Sequence, residues 1–204
     1  MKRILLSIVL IIAMLICTAS CNKSNSTSPI PETSKNVWET LQKLSQKQYD
    51  EVKLDIQTVT DDIVLNASYI LANSHVTYSI EQLNLLPSNG DLTNALPEYK
   101  TTFSGLAIIK DGKVDKIDGD IVDIPSYDEL VGNFNFQESN FKNIKAEDGK
   151  VTADVASAFG FMGTSKNLSD MRIVVTYSDT ALHKLEISYN TTNSTVIIVY
   201  EFVK

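Results

Sequence analysis

Between Met171 and Phe202 the chain alternates with a period of two in three successive runs. Met171 to Ser178, Leu182 to Tyr189 and Thr195 to Phe202 are separated only by Asp179-Thr180 and by Asn190 to Ser194. A period of two sends alternate side chains to opposite faces of a strand, and connections this short join antiparallel neighbours. Val196, Ile198, Tyr200 and Phe202 share one face, while Ile197 and Val199 put apolar groups on the other. That pattern predicts strands covered on both faces.

The same period governs the first half. Val52, Leu54 and Ile56 alternate with Lys53, Asp55 and Gln57. After a turn at Thr60-Asp61-Asp62, Ile63, Leu65, Ala67, Tyr69 and Leu71 form one face, and after Ala72-Asn73-Ser74 so do Val76, Tyr78 and Ile80. Phe103 to Lys110 and Lys113 to Val122 flank Asp111-Gly112, a dipeptide suited to the positive φ angles of a two-residue hairpin turn. Asp148-Gly149 likewise turns into Val151 to Val155. Leu85 to Glu98 contains Pro87 and Pro97 and reads as a loop with a helical turn at Leu92 to Leu96. Phe134 to Phe136 and Asn143 to Lys145 read as short extended pieces.

Helical signals are fewer. Asn36 with Glu39 three residues on makes a capping box, and Val37, Trp38, Leu41, Leu44 and Gln48 follow at helical spacing, with Trp38 expected in the core. Pro125 to Leu130 reads as a short helix start, and Ser157 to Gly163 as a short helix or lid loop.

The N-terminus carries a different kind of pattern. Lys2 and Arg3 precede Ile4 to Ile16, thirteen residues of which only Ser7 is polar. A bilayer core needs about 20 apolar residues as helix, so this run is a signal-peptide h-region better than a span. Small residues at Ala19 and Ser20 stand directly before Cys21, in the manner of a bacterial lipobox. Residues 1–20 are thus expected as a signal peptide, Cys21 as the site of diacylglycerol and palmitate attachment, and residues 21–35 as a flexible tether. An uncleaved anchor, or secretion with a free Cys21, are the lesser alternatives. Residues 36–204 are expected to fold as a single domain.

Cys17 and Cys21 are the only cysteines, so the mature domain has no disulfide and no thiol chemistry. Without the leader the chain holds 16 basic against 25 acidic groups, a net charge of −9, which disfavours nucleic acid as a partner. The basic residues are nearly all Lys, which with abundant Asn and Ile points to an AT-rich, Gram-positive source. No catalytic set, metal-ligand spacing or cofactor motif emerges. His75 is expected exposed beside Thr77, Ser79 and Glu81, and His183 half-buried in register with Leu185, Ile187 and Tyr189. Asp111, Asp115, Asp118, Asp120 and Asp123 lack the ligand order of a calcium loop.

The order of acylated cysteine, tether, helix, long strands and three closing strands resembles the LolA/LppX-like lipoprotein group. Trp38, Leu41 and Leu44, the Asp111-Gly112 hairpin, and the closing runs MRIVVTYS, LHKLEISY and TVIIVYEF carry that likeness. It implies an α+β, mainly β fold: a strongly curved antiparallel sheet, a half-barrel, packed on an N-terminal helix and short helical segments. It also implies that the protein holds a lipid or other apolar ligand; with Cys21 as anchor and no catalytic set, the expectation is a non-catalytic, membrane-anchored extracytoplasmic protein. The expected cavity is lined by Leu41, Leu65, Tyr69, Phe103, Ile198 and Tyr200, under a lid with Phe159, Phe161 and Met162. A solid-core module that binds an envelope protein is the alternative.

Overall fold

The computed structural model describes residues 32–72, 74–88, 91–110, 113–121, 133–164 and 167–203. Its strands are β1 (Glu51–Val59), β2 (Ile63–Ala72), β3 (His75–Ser88), β4 (Asp91–Lys110), β5 (Lys113–Gly119), β6 (Phe141–Glu147), β7 (Lys150–Val155), β8 (Ser169–Tyr177), β9 (Leu182–Asn190) and β10 (Thr195–Val203). They form one ten-stranded antiparallel sheet in the order β5-β4-β3-β2-β1-β10-β9-β8-β7-β6. Two five-strand meanders thus meet where the first strand pairs the last. β5 and β6 are the opposite edges, about 43 Å apart along the sheet at the usual inter-strand spacing.

Alternation places one apolar face across the whole sheet. One row runs Gly105, Tyr78, Tyr69, Leu54, Tyr200, Leu185, Val175 and Val151, and the next runs Phe103, Ile80, Ala67, Ile56, Ile198, Ile187, Ile173 and Ala153. Nearly all of these side chains are buried. The mainly β, antiparallel expectation holds.

The half-barrel does not. The sheet is neither closed nor strongly curled. Strong curvature is introduced by bulges and glycine kinks. β1, β2, β9 and β10 contain no glycine, and the β2-β1-β10-β9 pairings run in unbroken register. The register shifts fall further out, in the β3-β4, β4-β5, β6-β7 and β8-β9 pairs.

Two-sided covering is also corrected. Val199 lies between Asp55 and Glu186, and Ile197 between Gln57 and Ser188. On this face Ser68 donates to Asp55 at 2.6 Å and Gln57 to Asn66 at 3.0 Å, so it is a polar face turned to water. Ile197 and Val199 are half-buried there because branched side chains suit a pleated surface.

The proline-containing stretch is a strand pair, not a loop with a helical turn: β3 runs on to Ser88, and β4 begins at Asp91. Pro97 pairs with Leu85 just past a register shift, and Pro87 sits inside a second one. A residue without an N–H is tolerated at such irregularities.

The first helix, α1 (Glu32–Ser45), begins four residues before Asn36, which lies inside it and not at its start. An acid at the helix start favours the earlier origin through the helix dipole. Residues 32–35, expected in the tether, are therefore helical. Trp38, Leu41 and Leu44 are buried against the core, and Glu39 and Lys43 are exposed. The second helix, α2 (Ala158–Met162), is capped by Ser157 Oγ, which accepts the Gly160 N–H at 2.9 Å, and ends on Gly163 at φ 71°. The helix start expected at Pro125 to Leu130, the turn residues Asp111-Gly112, and residues 1–31 lie outside the described residues.

Candidate functional site

The site is built where residues 133–140, which lead into β6, lie over the apolar face. Phe134 meets Tyr200 of β10 edge-on at 5.2 Å and lies 5.4 Å from Phe161 of α2. Phe161 is 5.5 Å from Phe136 and 5.2 Å from Phe141, and Trp38 of α1 stacks on Phe141 at 4.4 Å, within 6° of parallel. A continuous aromatic cover thus runs from Trp38 to Tyr200. Each ring contact adds roughly 0.5–1.5 kcal/mol to the burial of the rings themselves.

Polar bonds fix this cover in place. Gln42 Oε1 accepts the Phe136 N–H at 2.7 Å, the Phe161 carbonyl accepts the Asn135 N–H at 2.9 Å, and buried Asn140 donates from Nδ2 to the Asn135 carbonyl at 3.1 Å. The Asn140 backbone carbonyl accepts the Ala156 N–H at 2.7 Å. Gly160 is required beside it, because a Cβ there would collide with Asn140 Oδ1. Among the described residues, Trp38 Nε1 and Gln82 Oε1 are buried without a hydrogen-bond partner.

At the far edge, Tyr78 donates to the Asp120 carbonyl. Its ring fits only because Gly105 has no side chain: a Cβ there would run into the Tyr78 hydroxyl and lie 2.7 Å from the Asp118 carbonyl.

Tyr189 and Tyr200 lie on the apolar face, on neighbouring strands. They are 4% and 5% exposed. Burial pushes the Tyr189 phenol up to about 12, and raises Tyr200 as well, with the Tyr189 charge adding to the second shift. Apart from buried tyrosines and Trp38, Asn140 and Thr164 are the buried residues with polar side chains among the described residues, so no buried cation stands on this face.

The expected cavity residues divide. Leu65, Tyr69, Phe103, Ile198 and Tyr200 share the apolar face, and Leu41 is buried in the same core. Phe161 is fully buried within the aromatic cover, with Met162 half-buried beside it. Phe159 is 41% exposed and stands outside the set. Cys21 lies outside the described residues. Phe134, Phe136, Phe141 and Tyr189 complete the site. Phe134 and Phe136 sit in irregular chain, where no periodicity marks a buried residue, and Tyr189 was legible from its alternation with Ile187 and Leu185.

The histidines stand differently from expectation. His183 is exposed, because the β8-β9 register shifts there: Tyr177 pairs Leu182 and Thr176 pairs Lys184, leaving His183 as the extra residue of a bulge. His75 is half-buried, with Nδ1 3.3 Å from Ser74 Oγ. Among the described residues no cluster of His, Cys, Asp or Glu could hold a metal ion, and no helix is long and apolar enough to cross a membrane.

Compared with protein-family models the chain matches no family, and compared with curated proteins it matches no relative.

Proposed function

We propose that this chain is a lipoprotein, held to the outer side of the cell membrane through Cys21, whose domain keeps a lipid or other apolar ligand against the apolar face of its sheet. The observation that carries the ligand reading is the breadth of that face. It extends over strands from β4 to β7 with the opposite face polar, and its ring contacts with the cover reach from Phe141 to Tyr200. Ligand sites are lined mostly by hydrophobic and aromatic side chains, and this face with its cover supplies such a lining. Since the sheet is not a half-barrel, the reading draws its support from this face and not from the layout of the LolA/LppX-like group.

Anchoring is supported by the charged leader, the short apolar run and the small residues before Cys21. Cys21→Ala should abolish palmitate labelling in cells and leave an unprocessed precursor. A variant still labelled and cleaved normally would contradict it. For the ligand, organic extraction of the purified protein followed by mass spectrometry should recover a lipid at a fixed ratio to protein.

A second reading is a filled-core module that docks an envelope protein without holding a ligand. It is favoured by one observation: Phe159, 41% exposed, stands on α2 two residues from fully buried Phe161. A photocrosslinker at Phe159 in intact cells would then trap one protein partner, with no lipid in the extract.

A further inference from the structure

We infer that the end of the sheet carrying Phe159 faces the membrane, and that Phe159 makes a second contact with it, its ring seated among the uncharged head groups of the bilayer surface. The inference rests on the anchoring at Cys21 proposed above and needs no ligand beneath the cover.

Strand pairing fixes which end is meant. Phe141 opens β6 and pairs with Val155, which closes β7, and Ser169 opens β8 and pairs with Asn190, which closes β9. These residues mark one end of the sheet, and α2 lies there, between β7 and β8. α1 starts at the same end. Its Trp38 stacks on Phe141, whereas its Leu44 is tied through the Tyr49 hydroxyl to Leu182, which opens β9 at the opposite end. Glu32, the first residue of α1, lies about 9 Å beyond Trp38 along the helix, away from Leu182.

That placement decides which end an anchor at Cys21 holds near the bilayer. Ten residues separate Cys21 from Glu32 and reach at most about 36 Å. Strands of nine residues such as β1 and β10 measure about 30 Å. For the opposite end to meet the membrane, those ten residues would have to run back almost fully extended along the whole domain.

The composition of the two ends agrees. Phe159 is 41% exposed at the near end, with Ala158 and Met162 half-buried beside it. β3 and β4 run on past the first residue of β2 there, pairing Leu85 with Pro97 and Leu86 with Leu96. Lys166 is the only charged residue between Ala156 and Leu168, and the turn from Thr191 to Ser194 has none. At the opposite end Lys47, Asp50, Glu147, Asp148, Lys150 and Asp179 are all exposed. Aromatic rings favour the membrane–water interface, and ions resist leaving water for it. Asp61, Asp62 and Asp170 are exposed at the Phe159 end, so an anionic surface would be repelled and uncharged head groups fit better.

The test replaces Phe159 by tryptophan in the full lipidated chain, reconstituted in phosphatidylcholine vesicles. Trp38 is the only tryptophan of the chain and is buried, so wild type supplies the baseline emission. Brominated phosphatidylcholine should remove most of the emission added by Phe159→Trp and leave that added by Asp179→Trp, at the opposite end, unchanged. Far-UV circular dichroism of both variants should match wild type. Equal quenching at the two positions overturns the inference and leaves the anchoring standing. No quenching in vesicles, with a protein crosslink at position 159 in intact cells, overturns the bilayer contact in favour of a protein partner. Wild type that fails to float with the vesicles overturns the anchoring and this inference together.

Discussion

The Tyr49 hydroxyl accepts the backbone N–H of Leu182 at 2.9 Å, and it donates to the carbonyl of Leu44 at 3.1 Å. One phenol thus joins the C-terminal end of α1 to the first residue of β9, across 133 residues of sequence. Lys47 Nζ reinforces the junction by donating to the Thr180 carbonyl at 2.7 Å. Tyr49→Phe keeps the ring and leaves the buried Leu182 N–H unpaired. It should destabilise the fold by about 1–3 kcal/mol in urea titration, with no change in the slope. A change below about 0.3 kcal/mol would mean that the bond does not hold the helix to the sheet.

Gly105→Ala should be more damaging than a surface glycine substitution. The added methyl runs into the Tyr78 hydroxyl and lies 2.7 Å from the Asp118 carbonyl, so β5 must move away from β4. Amide exchange over Lys113–Gly119 should accelerate selectively while β8 to β10 stay protected. Uniform acceleration across the sheet would show that β5 does not open separately.

Phe159 and Phe161 make an internal control for the aromatic cover. Phe161 is fully buried among Phe134, Phe136 and Phe141, and Phe161→Ala should cost about 3–5 kcal/mol. Phe159, 41% exposed, should change stability by less than about 0.5 kcal/mol when replaced by Ala. Equal costs at the two positions would contradict the placement of α2.

Alkaline unfolding follows from Tyr189. Its phenol ionises at the ordinary 10.0 in the unfolded chain and at about 12 in the fold. Between those values the folded state keeps a proton that the unfolded state has released, so stability is full below pH 10 and falls as pH rises to 12. The loss from this one group is about 3 kcal/mol, and the raised Tyr200 pKa acts in the same direction. Urea titrations at a series of alkaline pH values should show a shallower decline for Tyr189→Phe. An identical decline would place the ionisation elsewhere.

How much of this could be read from the chain depends on whether a residue lies in a regular element. Leu54, Ile56, Leu65, Tyr69, Val76 and Ile198 were assigned to one face by alternation alone, and all are buried on it. The same alternation misled at His183, because a bulge changes which side a residue faces without leaving a mark in the spacing. Pro87 and Pro97 read as strand breakers, yet the strands continue past them through register shifts. Ile197 and Val199 read as a second covered face, although Asp55 and Glu186 flank Val199 in the sheet. Phe134 and Phe136 were legible only as a short extended piece. Their role in covering Tyr200 and Phe161 depends on contacts with residues far away in the chain, which no local pattern encodes.

Native mass spectrometry of the full chain released gently from membranes tests the ligand reading most directly. A ligand-bearing domain should appear with an added non-covalent small-molecule mass that leaves on collisional activation. A spectrum of bare acylated protein alone, with the same domain folded by circular dichroism, would contradict it.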